Sequence, residues 1–381
     1  MEGARILIVG AGPAGLALAR ALERTGFAPE VVERRGRWDV AGTGMFLPAN
    51  GVRALGVLGL GEAMATKAVP IRRQRLLDHR GRVLADLDLR RLWGDLGPCL
   101  ALTRADLHQL LREGVPVRLG RSVRALDRAD GTSGPVGVTF DDGAQGEYDL
   151  VAGADGLHSA VRRLAVDDRP PVPVGQWSWR FLTRRPPETE DWTVMLARGA
   201  SFLTIPVAHG LVYCYADVSG GGGADPGADP VAFLRERFGG FADPVPGLLD
   251  QLDDPGSVHA APIEQVAGER WGDGKVVLVG DAAHGMSPNM AQGASLAFED
   301  ALVLAASLRS ERNVGEALAA FVARRSGRTG WVRAQTHRRD RTRDLPTLPR
   351  NLVLRAFGRR IFESNTRPLL EPIEPVAVPS R

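Results

Sequence analysis

Lysine is almost missing from this chain: Lys67 and Lys275 are the only two in 381 residues, so nearly all the positive charge is arginine. The formal net charge is nonetheless only +3. No RNA- or DNA-reading motif accompanies the arginines, so nucleic acid is not an expected partner, and the bias is read as codon usage. Cysteine is equally scarce. Cys99 and Cys214 are far apart and form no C-x-x-C pair, which excludes a disulfide framework or a cysteine zinc site; no metal is expected, and a reducing cytoplasm fits. No apolar run reaches the roughly 20 residues of a membrane span, so no integral membrane segment is expected. A predicted strand begins at Arg5 with almost no preamble, so no signal peptide is expected. There is no internal repeat.

What remains is ordinary globular composition, 44% apolar and 24% charged. The length exceeds one core, so two domains are expected. The chain opens with strand, glycine turn, helix, strand: Ile6 to Val9, Gly10 to Gly15, Leu16 to Thr25, Glu30 to Glu33. A helix capped by Asn50 is predicted through Val52, Leu55, Leu58 and Leu60. The runs Gln74 to Asp78 and Val83 to Leu87 read as a hairpin. A helix from Arg104 to Glu113 follows, then strands at Val115 to Leu119, Val136 to Phe140 and Asp149 to Ala152. Trp177 to Leu182, Trp192 to Leu196, Phe202 to Val207 and Val212 to Val218 alternate like a separate, mostly antiparallel sheet. Gly220 to Gly223 and the Asp-Pro repeats after them read as a flexible loop. A strand at Lys275 to Val279 precedes a long helix carrying Ala294, Ala297, Ala301, Leu304 and Leu308 on one face. The arginines around Arg338 to Arg343 read as a solvated helix face, and the tail from Asp344 as only weakly helical.

Three stretches carry chemistry. In Gly10-Ala11-Gly12-Pro13-Ala14-Gly15, between a strand and a helix, Gly10 permits a tight turn, Gly12 lets backbone approach a pyrophosphate, and Gly15 lets helix and strand pack closely. The helix N-terminus offers free N–H groups to phosphate. Glu33, 18 positions after Gly15, is placed for an adenosine ribose and disfavours a 2′-phosphate, leaving FAD or NAD. In the second stretch a strand runs into Asp155-Gly156, with Ser159 and Arg162 beyond. In the third, Val276 to Val279 runs into Gly280-Asp281-Ala282-Ala283-His284 and on to Pro288 and Gln292-Gly293. Asp281 suits a sugar-alcohol hydroxyl, and the helix starting at Gly293 and Ala294 would face the pyrimidine edge of a flavin.

Over roughly residues 5 to 330 the trio resembles the class A FAD-dependent monooxygenases of the para-hydroxybenzoate hydroxylase fold. Asp155-Gly156 with Ser159 and Arg162 matches the family's motif for FAD and NAD(P)H, and Gly280 to His284 with Pro288 matches its third motif. Arg104 looks like the family arginine that contacts FAD. Gly42-Thr43-Gly44-Met45, with Pro48 and Asn50, looks like the segment beside the isoalloxazine. Arg34 and Val123 join the cofactor residues on the same resemblance. Pro288 to Gly293 and Trp179-Arg180 look closest to the urate hydroxylase and zeaxanthin epoxidase branch, from which Ala291 and Ser295 depart.

The resemblance implies an α/β fold, with a Rossmann-like FAD-binding domain interleaved with a mostly antiparallel substrate sheet and C-terminal helices. The expected division is FAD-binding at 1–72, 101–172 and 267–336, a substrate-domain hairpin at 73–100, the main substrate sheet at 173–266 and a helical tail at 337–381. It implies hydroxylation or epoxidation of an aromatic or unsaturated small molecule by O2 through a C4a-hydroperoxyflavin, with NADH or NADPH as transient co-substrate. Arg180 and Pro288 are the expected catalytic positions. Trp179, Phe181, Met195, Phe202, Tyr213 and Tyr215 are candidates for the substrate pocket. His284 reads as a structural hydrogen-bonding residue and His209 as solvated. A monomer or homodimer is expected. A reductase on the same fold and a non-catalytic binding protein are the competing readings; the intact Asp155 and Asp281 motifs argue against the latter.

Overall fold

A run such as Ile6-Leu7-Ile8-Val9, apolar on both faces, fits the inside of a parallel sheet covered on both sides. In the computed structural model, which describes residues 1, 3–38, 42–128, 134–220 and 229–373, that is where it lies. Ile6–Val9 pairs in parallel with Glu30–Glu33 on one side and Leu150–Gly153 on the other. Val117–Leu119 and Val276–Leu278 extend the sheet in parallel, and Gly272–Asp273 closes one edge antiparallel. Helix Pro13–Arg24 buries Leu16, Leu18 and Leu22 and packs on helix Gly293–Ser310, which also meets Ala49–Val57 and Val314–Thr342.

The second large sheet has seven strands, in the order His259–Gln265, Val172–Arg184, Leu211–Ser219, Ala200–Val207, Trp192–Ala197, Arg73–Asp78, Val83–Asp88. Every pairing is antiparallel except Trp192–Ala197 with Arg73–Asp78. Strand alternation divides it into two faces. Trp179, Phe181, Met195, Phe202, Cys214 and Ala216 point one way, into a core closed by Leu234, Phe238 and Leu248. Tyr213, Tyr215, Leu203 and Ile205 point the other way, toward Phe46, Met286 and Met290. Two small sheets complete the fold: Gly44–Leu47, Cys99–Thr103, Val69–Ile71 and Gln145–Tyr148, Val136–Phe140, Val123–Arg128.

Several expectations are corrected. Pro48, not Asn50, precedes the helix Ala49–Val57, which ends before Leu58 and Leu60. Asn50 lies inside it because its amide is used elsewhere, donating to Gln292 and Glu299 at 3.0 Å each. The strand predicted from Val115 starts at Val117. The chain after Asp344 is not weakly helical: Thr347–Thr366 is a 20-residue helix, held by Leu354 and Phe362 against Leu76, Leu84 and Leu87. Of the arginine run, Arg338 and Arg341 are exposed, but Arg339 and Asp340 in helix Val314–Thr342, and Arg343 just after it, turn inward. Of the loop expected from Gly220, residues 221–228 lie outside the described residues, while the second Asp-Pro pair is no loop: Asp229 caps helix Pro230–Phe238. Cys99 and Cys214 are buried and unpaired. No described helix is long and apolar enough to cross a membrane.

Candidate active site

The glycine turn is built as its spacing demands. Gly10 has φ +105°, in the left-handed region, and a β-carbon there would lie 2.6 Å from the Ala154 carbonyl oxygen. A β-carbon on Gly15 would lie 1.9 Å from the Gly10 carbonyl oxygen. Around Gly12 the space is open, and helix Pro13–Arg24 starts there with no side-chain cap, leaving its first N–H groups for a ligand. Ala14 stands beside Gly280 of the third motif, so the two turns adjoin. The Glu33 carboxylate accepts from the Ala11 and Arg35 N–H groups at 2.9 and 3.0 Å, so it also braces the turn. His108 bonds the Ala11 carbonyl at 3.0 Å under the edge of Trp38. Arg34 is exposed beyond Glu33, and Val123 begins the strand Val123–Arg128 with its side chain in the core.

The second and third motifs are tied together by a residue whose role the sequence concealed. Arg162, 2% exposed, donates to the Ala282 carbonyl at 2.9 Å and to the Leu157 carbonyl at 2.6 Å. Asp155 caps the following turn, accepting from the Ala160 and Val161 N–H groups; burial pushes its carboxyl up, and its other oxygen is unpartnered. Gly156 follows at the turn. In the third motif Asp281 is exposed, and a β-carbon on Gly293 would lie 3.7 Å from its carboxylate. Asp281, Gly293 and Ala294 thus form one accessible patch at a helix N-terminus. His284 is structural, bonding Asp300 at 2.6 Å. Asp300 and Glu299 share Arg325, which is 1% exposed and reaches each at 2.8 Å. Burial raises the Asp300 carboxyl, but His284 and Arg325 together outweigh it and hold it at about 2.

Between the two sheets, strand Gly44–Leu47 lies directly on Tyr213: a β-carbon on Gly44 would overlap the tyrosine. Met45 follows on the same strand. Arg104, exposed after the cap Thr103, donates its N–H to the Thr43 carbonyl at 2.7 Å. Arg104 and Arg180 both bear electrostatically on Tyr213 and His259, making a cationic corner. Arg180 lies 5.4 Å over the Tyr215 ring and its charge bears on Tyr213, whose hydroxyl burial pushes up. Of the six pocket candidates, only Tyr213 and Tyr215 lie on this face. Trp179, Phe181, Met195 and Phe202 point into the opposite core, since the residues flanking Arg180 must face away from it. Trp192, tilted against Phe46 with ring centres 4.2 Å apart, shares the inner face.

The turn Pro288–Met290 packs onto this face through Met290. Pro288 is exposed, and Ala291 after it is left-handed at φ 52°, where glycine would be unstrained. Asn289 is pinned from helix Val314–Thr342: its amide meets Asp340, its carbonyl accepts from Arg339 at 2.7 Å, and its side-chain oxygen from Arg343 at 3.1 Å. Arg343 also pairs with Asp217 on the sheet. Reading the arginine run as solvent-facing concealed this cluster; the small, uncharged Val332 and Thr336, four apart on the same helix face, were the available signal.

The FAD binding domain family matches residues 3–329. Aurachin C monooxygenase/isomerase of Stigmatella aurantiaca is 32% identical, the match covering 88% of each chain. The FAD-dependent urate hydroxylase of Klebsiella pneumoniae is also 32% identical, over 85% of this chain and 86% of its own. The crystal structure of Klebsiella pneumoniae HpxO with FAD and uric acid superimposes with a TM-score of 0.88 at 28% identity, over 98% and 99% of the two chains. The open glycine turn, the exposed Asp281 and the uncapped helix ends fit FAD, and this chain belongs to the FAD binding domain family as a class A FAD-dependent aromatic monooxygenase.

Proposed function

We propose that this monooxygenase draws electrons from NADH or NADPH and inserts one atom of O2 into an aromatic or unsaturated substrate held between the flavin and the Tyr213–Tyr215 face. The balance is substrate, O2, NAD(P)H and a proton giving hydroxylated or epoxidised product, NAD(P)+ and water. Bound FAD supplies the electron transfer and oxygen activation; the chain supplies position, dryness and charge. The observation that carries this reading is that two accessible features, the Gly12 turn and the Asp281–Gly293 patch, accompany a buried, partly polar sheet face with Arg180.

Gly10, Gly12, Pro13, Ala14 and Gly15 would hold the pyrophosphate, with Glu33, Arg34 and Val123 around the adenosine. Asp281 would accept from ribityl hydroxyls, and the N–H groups at Gly293 and Ala294 would favour negative charge on the pyrimidine edge. Gly44 and Met45 would flank the ring, and Arg104 would add charge beside it. Asp155 and Gly156 would hold the loop that meets the nicotinamide cofactor. The Pro288 backbone would shape the oxygen side, and Arg180 would orient a carbonyl or anionic group of the substrate. The chain would divide at the boundaries the sequence suggests, with the hairpin at 73–100 serving the substrate sheet. The relatives' names specify urate and aurachin C, so both compounds belong in a screen. Compounds that accelerate NADH or NADPH oxidation are scored, with peroxide measured alongside. The expected outcome is at least one compound that raises turnover while peroxide falls. If neither nicotinamide bleaches the flavin, even with candidate substrates present, the reading fails.

A further inference from the structure

The inner sheet face is not uniformly aromatic. Register sets Ser201 opposite Asp217, and Ser178 on its other side, in one polar row. Arg343 pairs with Asp217 and donates to Ser201 at 3.2 Å, while Ser201 bridges both Asp217 oxygens at 3.0 Å. One oxygen of Asp340 is saturated: it accepts from Gln176 at 3.2 Å, from Ser287 at 3.1 Å and from Asn289. Among the described residues, four polar atoms of this cluster are buried without a partner: the Tyr215 hydroxyl, Gln176 Oε1, the second Asp340 oxygen and Arg343 Nε. Tyr215 stands two residues before Asp217 on the same strand, so it shares the face and adjoins the polar row. Leaving four such groups unmatched is costly, and native interiors avoid it.

We infer that this cluster is the polar wall of the substrate site and that it selects a neutral aromatic whose edge carries both a hydrogen-bond donor and an acceptor, as a cyclic amide does. The inference rests on the proposed placement of substrate against this face. Two of the free atoms are donors, on Tyr215 and Arg343, and two are acceptors, on Gln176 and Asp340. A hydrocarbon edge would leave all four unmatched. A carboxylate would find the Arg343 charge already matched by Asp217 and would meet the free Asp340 oxygen, so that Arg180, over the Tyr215 ring, serves the carbonyl of the substrate rather than an anionic group. The wall also touches Asn289, so a substrate bound to it abuts the turn that follows Pro288.

The test uses FAD-loaded enzyme and three probes: 2(1H)-quinolone, its N-methyl derivative and 1-naphthoate, with binding read from perturbation of the flavin absorption band. In the native enzyme 2(1H)-quinolone binds most tightly, and N-methylation weakens binding about 10-fold or more, because a buried acceptor loses its donor. In Asp340→Asn the oxygen stays with its three donors and the amide NH2 faces the site, so the N-methyl penalty falls to about 1-fold. Tyr215→Phe weakens both lactams about 10-fold, because it removes the donor to their carbonyl. Flavin content of each variant reports that the fold is intact. The inference is overturned if the penalty survives in Asp340→Asn, if 1-naphthoate binds most tightly, or if no probe perturbs the flavin at millimolar concentration. Those results leave the functional reading standing when NAD(P)H still reduces the flavin. Failure of that reduction would remove both.

Discussion

Arg325 offers the most quantitative test of how the third motif is held. It is buried and spans Glu299 and Asp300. Replacing it with leucine keeps apolar volume but leaves two buried carboxylates short of a partner. Removing one side of a buried ion pair costs about 3–5 kcal/mol. Here each carboxylate keeps a second partner, His284 for Asp300 and Arg328 for Glu299, so the lower end, about 3 kcal/mol, is expected at pH 7. A 381-residue chain has a melting entropy of about 0.8 kcal/mol/K, so the melting temperature should drop about 4 °C. The pH dependence has a definite sign. Asp300 is held at about 2, below its unfolded value near 4, so its contribution is complete above pH 4 or so and disappears as pH falls through about 2. The gap between native and Arg325→Leu enzyme should therefore narrow on acidification across that window. Urea unfolding at a series of pH values measures it. A gap under 1 kcal/mol at neutral pH, or one indifferent to pH, would refute the reasoning.

Gly15→Ala should yield colourless protein, since the added carbon collides with the Gly10 carbonyl and displaces the turn; the flavin-to-protein absorbance ratio reads it. Phe181→Ala should cost about 3–5 kcal/mol by cavity formation in the outer core, yet leave the KM for substrate within about twofold once folded. Tyr213→Phe should do the reverse, changing coupling of NAD(P)H oxidation to product with little loss of stability, as a stopped assay for peroxide would show. Arg162→Met removes the tether between Leu157 and Ala282, so FAD affinity should fall at least about tenfold, measured by fluorescence on dilution.

The parallel sheet and the glycine turn were legible in the sequence because local rules specify them: a doubly buried strand reads as an apolar run, and the turn needs glycine where any side chain collides. The antiparallel sheet was legible for the same kind of reason. Which of its faces meets the site was not, because alternation in Trp177-Ser178-Trp179-Arg180-Phe181 gives two faces without saying which one the flavin domain covers. Asn50 was misplaced as a cap since its partners lie 242 and 249 residues away. The inward turn of Asp340 and Arg343 was hidden likewise, for their partners are Asn289 and Asp217, and no local periodicity reports such distant pairings.

The pairing of Ile6–Val9 with Leu150–Gly153, and of that strand with Val276–Leu278, also bears on how the chain is made. Strand Ile6–Val9 acquires its inner neighbour only once the chain has been made to about residue 150, and that neighbour is covered only at about residue 280. Meanwhile the hairpin Arg73–Asp88 waits for Trp192–Ala197. Neither half of the protein can be finished before the other is begun. Nascent chains stopped ahead of Val276 should remain protease-sensitive and dependent on chaperones, because their exposed strand edges have no partner yet.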